Sequence, residues 1–202
     1  MKKLFFLSFL LTGMFVSARS VVITTVVDGT IGATCGAGGS NPKFVELYVS
    51  GTVDFTNYKF QTESNGVAAG QEISWSTGTV LAPLGTVTNS FVYLVGAGAD
   101  VFSTVYPTIT LPSGLSGLPN GNGNDAYRIV NDLGEGNVVV IDQFGNPADL
   151  VGNVYTAAWV YQDSYAKRNS GVAANGGVFV NSSFTYGGDG HFVAPNNTCE
   201  YL

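Results

Sequence analysis

Apolar and polar side chains alternate every second residue through much of this chain, the pattern of strands that bury one face. Residues 20–27 are almost entirely β-branched and predict a first strand. Residues 43–49 alternate without a break: Phe44, Glu46 and Tyr48 share one face, and Val45, Leu47 and Val49 the other. Residues 53–61 alternate again, with Phe55 followed by Tyr58 and Phe60 after a turn near Asn57. Short strands are predicted at 72–75 and 79–81, and the apolar run at 91–95 predicts a buried one. Residues 105–111 are a weaker candidate, because Pro107 removes a ladder donor. Further strands fall at 126–130, 137–142, 149–151 and 179–186. Gly134-Glu135-Gly136 lies between two of them and predicts a hairpin turn. Residues 28–41 and 112–124 are loops rich in Gly, Ser, Pro and Asn. No stretch keeps a helical period for more than two turns, and the chain shows no fixed-period repeat and no linker. Many short strands with turn signals between them predict a single all-β domain, a sandwich or a barrel.

The first 18 residues follow another pattern. Lys2 and Lys3 precede an uncharged apolar run at 4–16, and Val16-Ser17-Ala18 offers small side chains where a signal peptidase cuts. This is the anatomy of a secretory signal peptide, with cleavage expected after Ala18 and a domain at 19–202. The run is shorter than the roughly 20 apolar residues that a membrane-spanning helix needs, and no later stretch is long enough, so no membrane span is expected. Losing Lys2 and Lys3 leaves 6 basic residues against 14 acidic ones, a net charge of −8 against −6 for the full chain. Phosphates need Lys and Arg, so an acidic chain argues against nucleic acid and against an anionic membrane surface.

Composition agrees with a secreted β-protein. Charged residues make up 11% of the chain, where about 25% is usual. Val, Thr, Tyr and Phe suit pleated, half-buried surfaces, and Gly and Asn supply the corners. Two cysteines, Cys35 and Cys199, follow the leader, and an even number in a secreted chain favours a disulfide over two free thiols. A bridge between them would staple the two ends together and, closing so long a loop, would contribute about 5 kcal/mol in the chain-entropy model.

Four stretches, in order, resemble the lamin tail domain family in its bacterial secreted form. The first strand leads to Lys43-Phe44-Val45-Glu46-Leu47-Tyr48. Next comes Val53-Asp54-Phe55-Thr56-Asn57-Tyr58-Lys59-Phe60. Third is Asn124-Asp125-Ala126-Tyr127 with Val140-Ile141-Asp142-Gln143-Phe144-Gly145. Last is the run from Trp159 through Asp163 to Arg168. The resemblance covers residues 21–186. It implies an immunoglobulin-like β-sandwich and a module that accompanies secreted enzymes or adhesive domains rather than a catalyst. It implies no catalytic residues for this chain. The sequence departs from the family at Val49, where Asn is usual, in the Gly-rich stretch around Cys35 and in the segment 112–124.

The inventory for catalysis is thin. The single histidine, His191, sits in a Gly-rich loop, and there is no Gly-x-Ser-x-Gly elbow and no phosphate-binding Gly-Lys-Ser/Thr run. A surface histidine is the expected reading. A glycosidase needs only two carboxylates, and Asp125, Asp142, Asp149 and Asp163 are available, although their spacing singles out no pair. For metals, Asn120, Asn122, Asn124 and Asp125 place oxygens at alternating positions on a Gly-rich loop, as a Ca2+ site would. Asp28, Glu46 and Asp54 form a second conceivable cluster. The plainer alternative is an Asn-Gly turn. Two cysteines and His191 fall short of a structural zinc site. For sugars, Trp75, Trp159, Tyr161 and Tyr165 are the candidate stacking rings, with core packing favoured for Trp159. Asp163 and Arg168 are expected to form a local salt bridge, and Glu46 a structural edge charge. Asn181 and Asn196 begin N-glycosylation sequons, relevant in a eukaryotic secretory pathway.

The reading that follows is a non-catalytic secreted or cell-surface module with no required cofactor, acting through extracellular protein or glycan contacts in adhesion or a matrix role. A carbohydrate-binding module and a carboxylate-based hydrolase are the alternatives. Self-assembly through edge strands is a variant of the first, since low charge leaves edges poorly protected.

Overall fold

The computed structural model describes residues 19–29, 42–66, 71–96, 98–115, 117–150 and 155–192. The expected signal peptide at 1–18, Cys35, Cys199 and Asn196 lie outside them. The described residues form two antiparallel sheets packed as a β-sandwich. In chain order the strands are β1 (Ser20–Val27), β2 (Phe44–Asp54), β3 (Tyr58–Glu63), β4 (Thr79–Val80) and β5 (Thr86–Val95). A two-turn helix α1 (Ala99–Val105) follows, and then β6 (Ala126–Asp132), β7 (Val138–Phe144), β8 (Tyr165–Arg168) and β9 (Phe184–Tyr186). One sheet runs β5-β2-β1-β8-β9, the other β4-β3-β6-β7. No described helix is long and apolar enough to cross a membrane.

The predicted alternation decides which side chains meet. Val45, Leu47 and Val49 of β2 face inward beside Val21, Ile23 and Val26 of β1. The other sheet contributes Phe60, Ile129 and Phe144, and Trp159 and Tyr161 fill the space beneath the later loops. Two of the strand expectations extend: 43–49 grows into an 11-residue strand, and 91–95 into a 10-residue one. The Gly134-Glu135-Gly136 hairpin forms, with all three residues at positive φ.

Three expected strands do not form as drawn. At 72–75 no strand forms; just beyond it Ser76 donates its N–H to the Thr62 carbonyl at 2.9 Å, while its hydroxyl accepts the Thr62 N–H at 3.0 Å. Of 149–151, Val151 lies outside the described residues, and Asp149 ends the 3-10 turn Pro147–Asp149, capped by the Asn146 side chain accepting from Ala148 N–H. At 105–111 the chain leaves α1 irregularly. The expected strand 179–186 shortens to β9 after a 3-10 turn at Asn181–Ser183. The unforeseen strand is β8, whose four residues show too short a pattern to read.

Arg168 does not make its ion pair with Asp163. Its partner is Asp142 on β7 of the opposite sheet, at 2.5 Å, and both groups are buried (2% and 0% side-chain exposure). Asp142 also accepts the N–H of Ile23 at 2.7 Å and of Asn175 at 2.9 Å. Arg168 donates Nε–H to the Ile23 carbonyl at 2.7 Å and Nη1–H to the Ala173 carbonyl at 3.0 Å, and its guanidinium stacks on Phe184. β8 pairs with β1 only from Thr25 to Val27, so the ion pair takes over the backbone groups of Ile23 just where that ladder ends. Burial pushes the Asp142 carboxyl up, and the guanidinium with three backbone N–H groups pulls it back.

Removing one partner of a buried pair leaves an uncompensated charge, at a cost of about 3–5 kcal/mol. Asp142→Asn and Arg168→Met are each expected to lose that much in guanidinium unfolding. A loss below 1 kcal/mol for both would show that the pair does not anchor the sheets.

Candidate functional site

The outer face of the five-stranded sheet is divided in two. Towards one end, α1 and Phe192 cover it, building a second small core from Val27, Phe44, Val95 and Phe102. Towards the other end nothing among the described residues covers it, and a groove of about 730 Å³ remains. Its floor carries Val22, Tyr48 and Phe91, and the segment 169–174 forms a side wall. Tyr48 and Phe91 are directly paired across β2 and β5, with rings 5.0 Å apart and tilted by 52°. Phe91 is 51% exposed.

Between the covered and open halves sits Glu46. A β-bulge in β1 between Ile23 and Thr25 lets two consecutive threonines point to the same side. Thr24 and Thr25 both donate to one Glu46 oxygen, at 2.7 and 3.1 Å. Tyr93 adds a third hydroxyl, and its own ionisation is pushed well up by burial and by the Glu46 charge. Glu46 is therefore not an edge charge: β2 is an internal strand, and the carboxylate is held in mid-sheet. The wall is fixed as well, by Arg168 on the Ala173 carbonyl and by Asn169, which donates to the Ser182 carbonyl and accepts from Thr185.

The predicted sugar-stacking rings lie elsewhere and are in use. Trp159 and Tyr161 are buried, as expected for Trp159, whose Nε1–H donates to Asp149. The Arg128 guanidinium lies 4.3 Å over the Trp75 ring. Tyr165 packs against His191 and Phe192. Asn181 accepts a hydrogen bond from the Tyr186 hydroxyl at 2.6 Å. The groove pair Tyr48 and Phe91 carries no site signal in the sequence. Alternation put Tyr48 on the face opposite the core, but no local signal says which part of that face is left open.

The Asn-Gly loop is organised by protein groups. Asn120 and Asn122 are exposed, whereas Asn124 and Asp125 are buried. Asp125 accepts the Asn122 N–H at 2.6 Å and takes further bonds from the Ser64 hydroxyl and the Asn65 N–H. The Lys43 ammonium lies on the Gly121 carbonyl and pairs with Asp28 at 2.7 Å. Gly123 adopts φ +91°, and a Cβ there would lie 2.3 Å from the Gln162 Cα, so this glycine is required by close backbone approach. The other conceivable cluster does not converge: Asp28 lies beside the start of β2, Glu46 on its outer face and Asp54 at its far end, where Thr56 donates to it. Among the described residues no group of three His, Cys, Asp or Glu side chains could hold a metal ion. Of the four candidate aspartates, Asp142 is bound to Arg168 and Asp149 to Trp159, whereas Asp125 and Asp163 both lie near Asp28, which accepts the Asp163 N–H.

No protein-family profile, curated protein or solved structure matches the chain.

With Lys43 on the loop carbonyl and Asp125 bonded to loop N–H groups, calcium is expected to leave the melting temperature within about 1 °C of its value in chelator. A bound site at a hundredfold excess over Kd would add roughly 2.7 kcal/mol, which is several degrees.

Burial pushes the Asp125 carboxyl above its ordinary value of 3.8, against the opposing N–H bonds. Asp28 and Glu63 move the same way for the same reason. A group whose native pKa is raised contributes stability that is complete below its unfolded value and is lost as pH rises through the native one. The wild-type protein should thus lose stability as pH rises above about 4 more steeply than Asp125→Asn, in urea unfolding along that pH series. Parallel profiles would rule out the Asp125 carboxyl as a source of that dependence.

Proposed function

We propose that this chain is a non-catalytic, secreted or cell-surface module of the lamin tail kind, with an immunoglobulin-like sandwich, that acts through protein or glycan contacts at the outer groove. The observation that carries the reading is the groove itself: an uncovered aromatic pair on an otherwise packed sheet, beside a fixed wall. Its lining holds one carboxylate, Glu46, and no histidine or cysteine. A glycoside hydrolase of the usual kind needs two carboxyl groups roughly 5–10 Å apart across the bond it cuts, so the lining supports contact over hydrolysis. The leader at 1–18 supports export, and the acidic charge supports partners other than nucleic acid. The order of the four resembling stretches supports the family.

Val22→Trp places a large ring on the groove floor while leaving the core face of β1 untouched. Tagged protein 19–202 is expected to be retained on cells or extracellular matrix, and Val22→Trp to cut that retention at least tenfold with the melting temperature preserved. Equal retention of the two proteins would remove the groove as the contact surface.

A further inference from the structure

We infer that the outer groove takes a neutral saccharide, an inference that rests on its being the contact surface proposed above. Three observations select this chemistry. The first is the floor. Tyr48 and Phe91 present ring faces beside Val22, and flat C–H surfaces of sugar rings match such faces. The tilt of 52° between the rings suits a chain that twists rather than a flat crystalline surface.

The second is charge. Glu46 has three hydroxyl donors of its own, Lys167 stands on the same lining, and the Arg168 guanidinium is turned inward to Asp142. One carboxylate and one ammonium leave the groove without net charge, so its lining favours neither an anionic nor a cationic ligand. A threonine hydroxyl that gives its proton to a carboxylate keeps its lone pairs and is held in orientation, ready to accept. Thr24 is in that state, and Ser20, Ser50 and Asn169 add further polar groups around the floor. A ligand dense in hydroxyls can donate to these groups and accept from them in turn.

The third separates a saccharide from a peptide. Peptides bind sheets most simply by adding a strand to a free edge, where backbone groups are unpaired. The groove floor runs across β1, β2 and the edge strand β5; β2, at its centre, has a neighbour on each side, and β1 pairs with β8 only from Thr25 to Val27. Along β2 it offers side chains and no open ladder. A sugar needs only the side chains. The wall, held by Arg168 and Asn169 through three hydrogen bonds, is in place before any ligand arrives, which limits the ordering cost of binding.

The experiment is a neutral-oligosaccharide array followed by calorimetry on protein 19–202. At least one neutral oligosaccharide is expected to bind. Its affinity should fall tenfold or more in Phe91→Ala and in Tyr48→Ala, and stay unchanged in Trp75→Ala. Because the ligand is uncharged, raising the salt from 0.05 to 0.5 M should change the affinity less than twofold, well within what screening does to charged partners. Phe91 is half exposed, so its substitution leaves the core intact, and a melt verifies that. An array on which nothing neutral binds, binding confined to sulfated or uronic glycans, or affinity untouched by Phe91→Ala would each overturn the inference. The cell-retention assay keeps the two readings apart. Retention lost in Val22→Trp but indifferent to free oligosaccharide and to enzymatic removal of glycans would sink the saccharide and leave a protein-binding module. Retention indifferent to Val22→Trp would sink both.

Discussion

The placement of the two sheets depends on the buried pair between Asp142 and Arg168. Such a pair has no large net advantage over apolar residues of the same volume, because both ions lose their hydration. Its effect is specificity. Asp142 reaches from β7 into the opposite sheet and accepts from β1 and from the segment after β8. Arg168 returns from β8 to β1 and to Ala173. Shifting one sheet along the other would strand two charges and the backbone groups of Ile23 in the core. Leu47, Phe60, Ile129 and Phe144 would tolerate several offsets, as non-directional apolar contacts do. The charged network tolerates one.

The same network reaches the surface. By holding the Ala173 carbonyl, Arg168 sets one wall of the outer groove, so the position of that wall follows from the packing of the core. The bulge in β1 sets the other polar feature. It brings Thr24 and Thr25 together beneath Glu46, while Val26 resumes the inward set. A second bulge, on β7 between Val140 and Asp142, accompanies the inward turn of the carboxylate. Both irregularities lie next to the ion pair. They are where the regular alternation gives way to polar contacts.

Much of the fold was legible in local pattern. Ser20–Val27 appears at its predicted bounds, the two faces of β2 divide as the alternation says, and the Gly-Glu-Gly hairpin closes where expected. Two of the failures share one cause. At 72–75 the strand pattern is present, yet the contact with Thr62 of β3 is made by Ser76, just past it. At Arg168 a nearby aspartate looked like the partner, yet the guanidinium crosses the sandwich to Asp142. The Asn-Gly loop has the composition of a cation loop, and the ammonium that meets it is Lys43, 78 positions away from Gly121 along the chain. In the last two cases the deciding group is distant in sequence and invisible to any short window.

The sequence by itself determined the β period, the inward and outward sets of each strand and the places where the chain turns, because steric preference and burial of alternate side chains act over a few residues. It also determined the acidic charge and the scarcity of catalytic groups. Only the tertiary structure decided which charges meet, which aromatic rings are buried and which half of the outer face α1 leaves open. Those outcomes rest on contacts such as that between Ile23 and Asp142, 119 positions apart. They exist only once two sheets have closed on one another, which is why Tyr48 and Phe91 became recognisable as a site in the folded protein and not in the chain.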